Sequence, residues 1–232
     1  PEYLYGTDSR ILTQQEFESY LDTQPDNPAQ LNHVVMIQCI GPGEKYCSRL
    51  CCTTALKNAL QLKELNPATE VTIIYRDIRT YGFKERLYTK AREKGIRFIH
   101  YDFDHKPEVS IDDEDNKLIV RVQERLLNLK ISLAPDLLVL SMPVMASPGT
   151  KELATRLKLP VDMDGFYLEA HVKLRPVDFS ADGVFMAGMA HYPKFLDETI
   201  AQAQAAASRA AGILTQKTML TNARVAVVDP LK

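Results

Sequence analysis

The four cysteines are the most informative residues of the chain, because all of them lie in one short stretch. Cys39, Cys47, Cys51 and Cys52 have the spacing Cys-x7-Cys-x3-Cys-Cys, and the 232-residue sequence has no other cysteine. Disulfide frameworks are typical of cysteines spread through small secreted domains, whereas a tight group favours metal or redox chemistry. The residues alone leave four interpretations open: an iron-sulfur cluster, a structural zinc site, a thiol-disulfide relay through the adjacent pair, and buried structural cysteines.

The pattern around the cysteines predicts a strand followed by a helix. The continuous apolar run over 34–40 contains β-branched residues and is typical of a strand covered on both faces. The apolar spacing over 46–65 predicts a helix that ends before Pro67. Cys39 would then lie at the carboxyl end of the strand, and the other three cysteines would lie at the start of the helix.

The three later cysteines constrain the start of that helix. Cys47 and Cys51 are four residues apart, so on a helix both thiols would face the same side. Cys52 would lie about 100° around a regular helix from Cys51. We therefore expect these ligands at or before the first turn, where the backbone can bend and bring the sulfurs together.

The loop between the strand and the helix departs from a dinucleotide-binding fingerprint. Gly41-Pro-Gly-Glu-Lys-Tyr-Cys does not fit G-x-G-x-x-G, because Tyr46 replaces the third glycine and Pro42 lacks an N–H donor. The free amides at the helix start would still carry a partial positive charge. That charge favours an anionic cluster held by thiolates.

The remaining pattern predicts an α/β fold. The expected elements form a right-handed βαβαβ core with a small antiparallel meander and one further buried strand. They are a strand at 71–75, a helix at 84–94, a strand at 96–100, a hairpin at 108–111 and 117–122, and a strand at 136–141. By fold analogy this is the nicotinamide-domain arrangement of thioredoxin-reductase-like two-dinucleotide-binding flavoproteins, here followed by the C-terminal part of an FAD domain.

We expect four segments along the chain. They are a connector at 1–30 with a short helix, a Rossmann-like domain with the cysteines at 31–141, a C-terminal portion of an FAD-binding domain at 142–218, and a tail at 219–232. In the third segment the sequence predicts a short helix, a short strand at Gly183–Gly188 and a long helix over Asp197–Leu214.

Composition narrows the classes of partner. The chain has 28 basic and 30 acidic residues and a formal charge of -2, so neither nucleic acid nor an anionic membrane surface is indicated as a partner. No apolar run reaches the roughly 20 residues that span a bilayer, and no signal segment opens the chain. We expect a cytoplasmic location.

Several blocks of the sequence resemble successive blocks of the A subunit of heterodisulfide reductase and its relatives. The resemblance extends over about residues 30 to 215 and includes the whole cysteine block. The matching blocks include Ile37-Gln-Cys-Ile-Gly, Tyr46-Cys-Ser-Arg-Leu-Cys-Cys, Ile74-Tyr-Arg-Asp-Ile-Arg, Gly183-Val-Phe-Met-Ala-Gly and Pro193-Lys-Phe-Leu-Asp-Glu-Thr-Ile-Ala-Gln-Ala.

The resemblance implies an oxidoreductase component that passes electrons between FAD and iron-sulfur clusters, with bifurcation of electrons in complete complexes. It implies a [4Fe-4S] cluster on Cys39, Cys47, Cys51 and Cys52. The implied partners are the B- and C-type subunits of heterodisulfide reductase, a hydrogenase or another electron donor, and ferredoxin. A homodimer is left open. Because the N-terminal glycine fingerprint of complete relatives is missing, we expect a fragment that is inactive alone.

The resemblance also implies flavin-contacting residues. Lys57 would place a cation near the flavin, and Gly188 would let the backbone approach its diphosphate and ribityl chain. Many relatives follow this glycine with Asp, whereas this chain has Met189, which leaves only a backbone amide. Three further residues, Lys194, Glu198 and Thr199, would lie near the isoalloxazine at the start of the long helix.

Two further interpretations of function stay open. A disulfide- or nicotinamide-dependent flavin reductase would use Cys51 and Cys52 as a dithiol and would contain no iron. A scaffold held together by zinc would dock partners without chemistry.

Overall fold

The structure, a computed structural model, describes residues 2–23, 30–41 and 47–218. The chain divides into two compact units, Pro1–Met145 and Ala146–Lys232. The predicted tail at 219–232 lies outside the described residues, as does the predicted first residue of the cysteine helix, Tyr46.

The first unit is built on a five-stranded parallel sheet. Its strands are β1 (Ile11–Thr13), β2 (His33–Ile37), β3 (Glu70–Tyr75), β4 (Arg97–His100) and β8 (Leu137–Leu140). They pair in the order β1-β8-β2-β3-β4. The predicted α/β class with a parallel sheet is therefore confirmed. The near-continuous apolar runs of β2 and β8 exist because both faces of the sheet are covered.

Helices cover one face of this sheet. They are α1 (Gln14–Thr23), α2 (Leu50–Leu65) and α3 (Glu85–Glu93). Alternate strand residues such as Val34 and Met36 pack with Leu56 and Leu62 of α2 in one buried cluster. Because strand side chains alternate between faces, their neighbours Val35 and Ile37 belong to the cluster on the other face.

A three-stranded antiparallel meander supplies the cover of the opposite face. Its strands are β5 (Glu108–Ile111), β6 (Leu118–Gln123) and β7 (Lys130–Leu133). Leu118, Val120 and Val122 of β6 are buried in the same cluster as Val35 and Ile37. The first two meander strands match the predicted hairpin, whereas β7 was not predicted; its residues are alternately exposed and only half-buried.

The strand order creates a crevice at the carboxyl edge of the sheet. The chain passes from β2 to β3 and β4 on one side, and it later enters β8 on the other side of β2. Ligands of open α/β sheets bind beyond the carboxyl ends of the strands, at a point where the strand order changes direction, as it does here between β2 and β8. Cys39 follows β2 at this edge.

Within residues 146–218, the described part of the second unit, there is little regular structure besides two α-helices, α4 (Thr150–Leu157) and α5 (Leu196–Leu214). Its small core consists of Ala154, Leu159, Tyr167, Phe179 and Met186. The predicted strand at 183–188 is wrong: this segment makes an isolated bridge between Phe185 and Asp178 and then a 3-10 turn at Gly188–Ala190. A strand needs a neighbour along its length, and among the described residues this segment has only that one bridge.

The expectation of a plain connector at 1–30 is also wrong. Ile11 pairs with Leu138, which makes β1 the edge of the parallel sheet. The predicted short helix is α1, whose Phe17 and Leu21 are buried in the helix-side core. The sequence pattern of this segment is weak, because β1 has only three residues and most residues of α1 other than Phe17 and Leu21 are polar.

No helix of the described part of the chain is both long enough and apolar enough to cross a membrane.

Replacement of Phe17 by Ala should therefore destabilise the first unit strongly. Phe17 is fully buried, so loss of the ring should lower the free energy of unfolding by about 3–5 kcal/mol. The matched control is Phe83→Ala, because Phe83 is 83% exposed and its loss should cost less than about 1 kcal/mol. Urea unfolding followed by circular dichroism measures the free energy of unfolding of both variants. Equal small losses of stability would contradict the packing of α1 into the core and would support a connector at residues 1–30.

Candidate metal centre

Cys39 is held at the carboxyl end of β2 by a tight network of backbone bonds. The preceding residue, Gln38, donates its N–H to the carbonyl of Ile74 (2.8 Å) and accepts the hydroxyl of buried Tyr101 on its own carbonyl (3.0 Å). Cys39 itself has a left-handed backbone, with φ of 61°. This turn ends the strand and directs the thiol to the carbonyl oxygen of Asp77, 3.8 Å away.

Cys51 and Cys52 lie in the first turn of α2, which begins at Leu50. The Cys52 thiol is buried and lies 3.7 Å from the same Asp77 carbonyl oxygen. The backbone N–H of Arg79 points at the Cys52 sulfur at 3.5 Å. Two cysteines from different elements therefore meet at the loop that follows β3.

Cys47 precedes the helix, so the prediction that Cys47 and Cys51 share a helix face is wrong. Arg49, between them, has a left-handed backbone with φ of 48°, and regular helix starts only at the next residue. The Arg49 N–H donates to the Cys47 sulfur at 3.4 Å. The expectation that these cysteines sit at or before the first turn does match the described helix.

The segment after β8 fixes both ends of the cysteine loop. The hydroxyl of Ser48, which is buried, accepts the backbone N–H of Val144 at 2.8 Å. At the other end Gly41 is required, because a Cβ there would lie 2.8 Å from Cγ of Pro143. Sequence reasoning missed Ser48 and Pro143, since no local pattern pairs residues almost one hundred positions apart.

Hydrogen bonding between the adjacent thiols separates their pKa values. The Cys51 S–H donates to the Cys52 sulfur, which lowers the pKa of Cys52 to about 7 against the opposing effect of burial. The same bond, with burial, raises the pKa of Cys51 well above its ordinary value. Burial also raises the pKa of Cys39. The pair therefore loses its first proton from Cys52.

Arginines surround the thiols with positive charge. The Arg76 guanidinium favours the Cys39 thiolate, partly offsetting burial. Arg79 is held by the Asp77 carboxylate at 2.7 Å, which is the main cause of its raised pKa, and its charge also acts on Cys47 and Cys39. An anion on the four sulfurs would be stabilised by this setting.

The four thiols are a donor set that a thiolate-bound cluster can use. Across 2–23, 30–41 and 47–218, no three His, Cys, Asp or Glu side chains converge closely enough to hold one metal ion. An iron-sulfur cluster gives each thiolate its own iron, so its ligands surround a larger group. The thiols of Cys39 and Cys52 meet at the Asp77 loop, and Cys51 and Cys47 lie close enough to act on one another electrostatically, which fits that requirement.

A cavity of about 340 Å³ adjoins Cys51 at the carboxyl edge of the sheet. Its wall includes buried Gln14, Ser141 and, on α1, Glu18. Lys57, the predicted cation, lies on α2 with an exposed side chain and makes an ion pair with Glu18. Its ammonium therefore lies beside the wall of this cavity.

In the second unit, Gly188 occupies a position that favours glycine. Its φ is 69°, and a Cβ would lie 3.2 Å from Cγ2 of Thr199 on α5. Met189, which follows in the 3-10 turn, is 44% exposed. The structure thus brings two predicted site residues, Gly188 and Thr199, into contact at a turn whose backbone can approach a cofactor closely.

Lys194 and Glu198 have structural partners. Lys194 is buried, and its Nζ lies 3.1 Å from the ring centroid of Tyr192. The Glu198 carboxylate accepts the backbone N–H of Phe195 at 2.8 Å and so caps the start of α5. Sequence reasoning missed the neighbouring side chains of Glu169, His191 and Gln202, which a hydrogen-bond chain links to Gly188.

The fold defines the class of protein. The chain matches thioredoxin reductase from T. acidophilum with a TM-score of 0.52 and 16% identity, over 88% of this chain and 56% of that one. Lactococcus lactis thioredoxin reductase gives 0.53 and 18%, over 90% and 63%. L-lysine 6-monooxygenase from Pseudomonas syringae gives 0.53 and 14%, over 93% and 60%. The chain has the fold of thioredoxin-reductase-like flavoproteins, as predicted.

The sequence comparison identifies the relatives within that class. The chain is 41% identical to the A subunit of ferredoxin:CoB-CoM heterodisulfide reductase of Methanosarcina acetivorans, over 85% of this chain and 25% of that protein. It is 38% identical to the iron-sulfur A subunit of CoB–CoM heterodisulfide reductase of Methanocaldococcus jannaschii, over 98% and 37%. No family model matches the chain.

The predicted resemblance is confirmed: the chain is homologous to one segment of the A subunit of heterodisulfide reductase. It spans about a quarter to somewhat over a third of the length of these curated relatives.

A thiolate titration of the reduced, metal-free protein tests the described thiol pair. One thiolate should form with a midpoint near pH 7, because the lowered pKa of Cys52 extends the thiolate form to lower pH. Absorbance near 240 nm is the measurement. Cys51→Ala removes the S–H donor and should shift this midpoint upward, whereas the control Cys47→Ala should leave it unchanged. A first midpoint near pH 9 in the unmodified protein would contradict the described bond.

Proposed function

We propose that the chain is the electron-transfer segment of an oxidoreductase of the same type as the A subunit of heterodisulfide reductase. In this proposal Cys39, Cys47, Cys51 and Cys52 bind one [4Fe-4S] cluster, and the second unit contributes to an FAD site. The observation that best supports this proposal is that thiols from two separate elements, Cys39 after β2 and Cys52 at the start of α2, meet at the carbonyl of Asp77. The name of one relative, an iron-sulfur subunit, supports the same assignment.

The proposal divides the work between the two units. The segment 31–141 is proposed as the cluster-bearing domain in the place of a nicotinamide domain, and 142–218 as the C-terminal portion of an FAD domain. The fold of thioredoxin-reductase-like proteins supports this division. β1 and α1 are assigned with the cluster-bearing domain, since they pack into its core.

The chain's own residues would hold and tune the cluster. The cluster supplies one-electron chemistry. The thiolates bind it, the backbone N–H of Arg79 donates to a ligand sulfur, and the charges of Arg76 and Arg79 offset its negative charge. Hydrogen bonds and cations near the sulfurs stabilise the more reduced state. The burial of Cys52 keeps water from one side of the site.

The flavin-binding residues are proposed on the same footing. FAD supplies two-electron chemistry when bound. Gly188 and Met189 would present backbone to it, Thr199 supports Gly188, and Glu198 organises the start of α5. Lys194 would add positive charge, and Lys57 is proposed as a second cation, whose ammonium is paired with the Glu18 carboxylate.

The partners follow from the names of the relatives. One of them is the A subunit of the H2/formate:CoB-CoM heterodisulfide, ferredoxin reductase of Methanococcus maripaludis. We propose B- and C-type subunits, a hydrogenase or formate-linked donor, and ferredoxin as partners of the complete protein. Electron bifurcation belongs to that complete assembly.

One observation favours a second candidate function. The adjacent thiols Cys51 and Cys52 share a hydrogen bond, and the pKa of Cys52 is lowered to about 7, as in a nucleophilic dithiol. A disulfide-reducing flavoprotein without iron would use this pair. The involvement of Cys39 and Cys47 in the same site favours the cluster.

Metal analysis after anaerobic purification or reconstitution tests the proposal. We expect about four irons and four acid-labile sulfides per chain and little zinc, with a signal in electron paramagnetic resonance after reduction. Cys47→Ser should lower the iron content and change the resonance spectrum. The control is Thr54→Ala, one turn after the start of α2, which should leave the iron content and the spectrum unchanged. Zinc in place of iron would support the scaffold, and titratable thiols without metal would support the dithiol reductase.

A further inference from the structure

A chain of hydrogen bonds in the second unit connects three polar side chains to the backbone of Gly188. The Gly188 N–H donates to Oε1 of Gln202 at 2.8 Å, and Nε2 of Gln202 lies 2.9 Å from Nδ1 of His191. The other ring nitrogen, Nε2 of His191, lies 2.6 Å from the Glu169 carboxylate. His191 is buried, and its own backbone N–H bonds back to the Gly188 carbonyl.

The proton positions along these hydrogen bonds can be assigned one after another, starting from the backbone N–H of Gly188. An N–H can only donate, so the atom of Gln202 that faces Gly188 must be the amide oxygen. The amide NH2 of Gln202 therefore faces His191 and donates to Nδ1. Nδ1 must then lack a proton, and Nε2 carries the proton that it donates to Glu169. The imidazole is thus neutral, in the Nε2–H form.

We propose that Glu169, His191 and Gln202 form a positioning network that sets the backbone at Gly188 and Met189, and that protonation of His191 at Nδ1 releases it. A proton on Nδ1 would face the NH2 of Gln202, donor against donor. If the amide rotated to relieve this conflict, its NH2 would face the Gly188 N–H instead. In either arrangement one donor loses its acceptor. Protonation of His191 therefore weakens the hydrogen bonding that holds the Gly188 amide.

The groups around His191 have opposing effects on its pKa. Burial lowers the pKa of His191 and is the largest effect, and the positive charge of Lys194 lowers it further. Glu169 and Asp162 raise it, and Tyr192 contributes an aromatic ring at 4.4 Å between centroids. On α5 the facing side chain is the neutral amide of Gln202. At neutral pH the ring therefore stays uncharged, and acidification charges it.

The network matters for the proposed cofactor because Gly188 has no side chain with which to hold its position. Contact with Thr199 restricts it on one side, and the bond to Gln202 fixes its amide. Met189 supplies no carboxylate, so binding at this turn depends on the backbone alone. This part of the inference rests on the proposed FAD site, whereas the link between His191 and Gly188 does not.

Nuclear magnetic resonance of the whole chain tests the link without any cofactor. Labelled histidine should show His191 with its proton on Nε2, and the Gly188 amide should shift with the same midpoint as His191 on acidification. Ala-Gly occurs at 187–188 and 211–212. Selective labelling of this pair therefore leaves two glycine amides, Gly188 and Gly212; a Gly212→Ala variant assigns them, and Gly212 then serves as the internal reference. A proton on Nδ1 at neutral pH would overturn the inference.

Two substitutions of His191 separate positioning from simple packing. His191→Asn keeps an acceptor near the position of Nδ1 but cannot titrate, so the Gly188 amide should stay protected from hydrogen exchange at all pH values. His191→Phe keeps a ring without an acceptor, and exchange at Gly188 should increase about tenfold at neutral pH, as for the loss of one hydrogen bond. The control is His171→Asn, since His171 is exposed in the same unit and should leave Gly188 unchanged. Equal exchange in the Asn and Phe variants of His191 would overturn the proposed network.

FAD titration, followed by flavin fluorescence, then tests the connection to the cofactor. Affinity should fall about tenfold on acidification through the His191 midpoint in the unmodified chain. It should not change with pH in His191→Asn. Affinity independent of pH and of the variant, while Gly188 responds, would overturn the role in cofactor positioning. No FAD binding under any condition would contradict the proposed flavin site and not the network, which the resonance experiment decides by itself.

Discussion

The placement of β2 between β3 and β8 is the constraint on which the cysteine site depends. The strand is hydrogen-bonded on both sides, and both of its faces are covered by apolar side chains. The direction and the carboxyl end of β2 are therefore fixed, and Cys39 lies at a defined position on the carboxyl edge of the sheet. The start of α2, the loop after β3 and the segment after β8 all meet that same edge, because parallel strands end there together.

The local geometry at this edge turns neighbouring residues into a chemical site. Left-handed residues at Cys39 and Arg49 bend the chain where it leaves the strand and before it enters the helix. These bends let thiols on opposite ends of a short loop approach the Asp77 loop. Burial alone would disfavour thiolates there, so the arginines and the thiol-thiol hydrogen bond are needed to make anionic sulfur stable.

Much of the fold was predictable from sequence, since the long elements carry strong periodic or continuous patterns. β2, β3 and β8 are continuous apolar runs, and α2 and α5 are long. β1 has only three residues, which carry too little pattern to predict, and pairing with the distant strand β8 determines it. β7 was missed because none of its residues is fully buried, so it lacks the contrast of an apolar and a polar face. The strand predicted at 183–188 failed for the converse reason, because an apolar run forms a strand only beside a partner.

The candidate site also has features that could be predicted from sequence and features that could not. The cysteine spacing and the resemblance identified which residues to examine, and these are local features. The loop arrangement was not predictable, since it depends on Ser48 meeting Val144 and on Gly41 packing against Pro143 across the fold. The same applies to Glu169 and Gln202, which contact His191 only because the turn at Gly188 packs against α5.

X-ray diffraction from anaerobically grown crystals, measured on both sides of the iron and the zinc absorption edges, tests the central claim most directly. The account predicts anomalous density for four irons that appears above the iron edge, with a different iron within bonding distance of each of the sulfurs of Cys39, Cys47, Cys51 and Cys52. A peak that appears only above the zinc edge, or four sulfurs without any metal and a disulfide between Cys51 and Cys52, would contradict it.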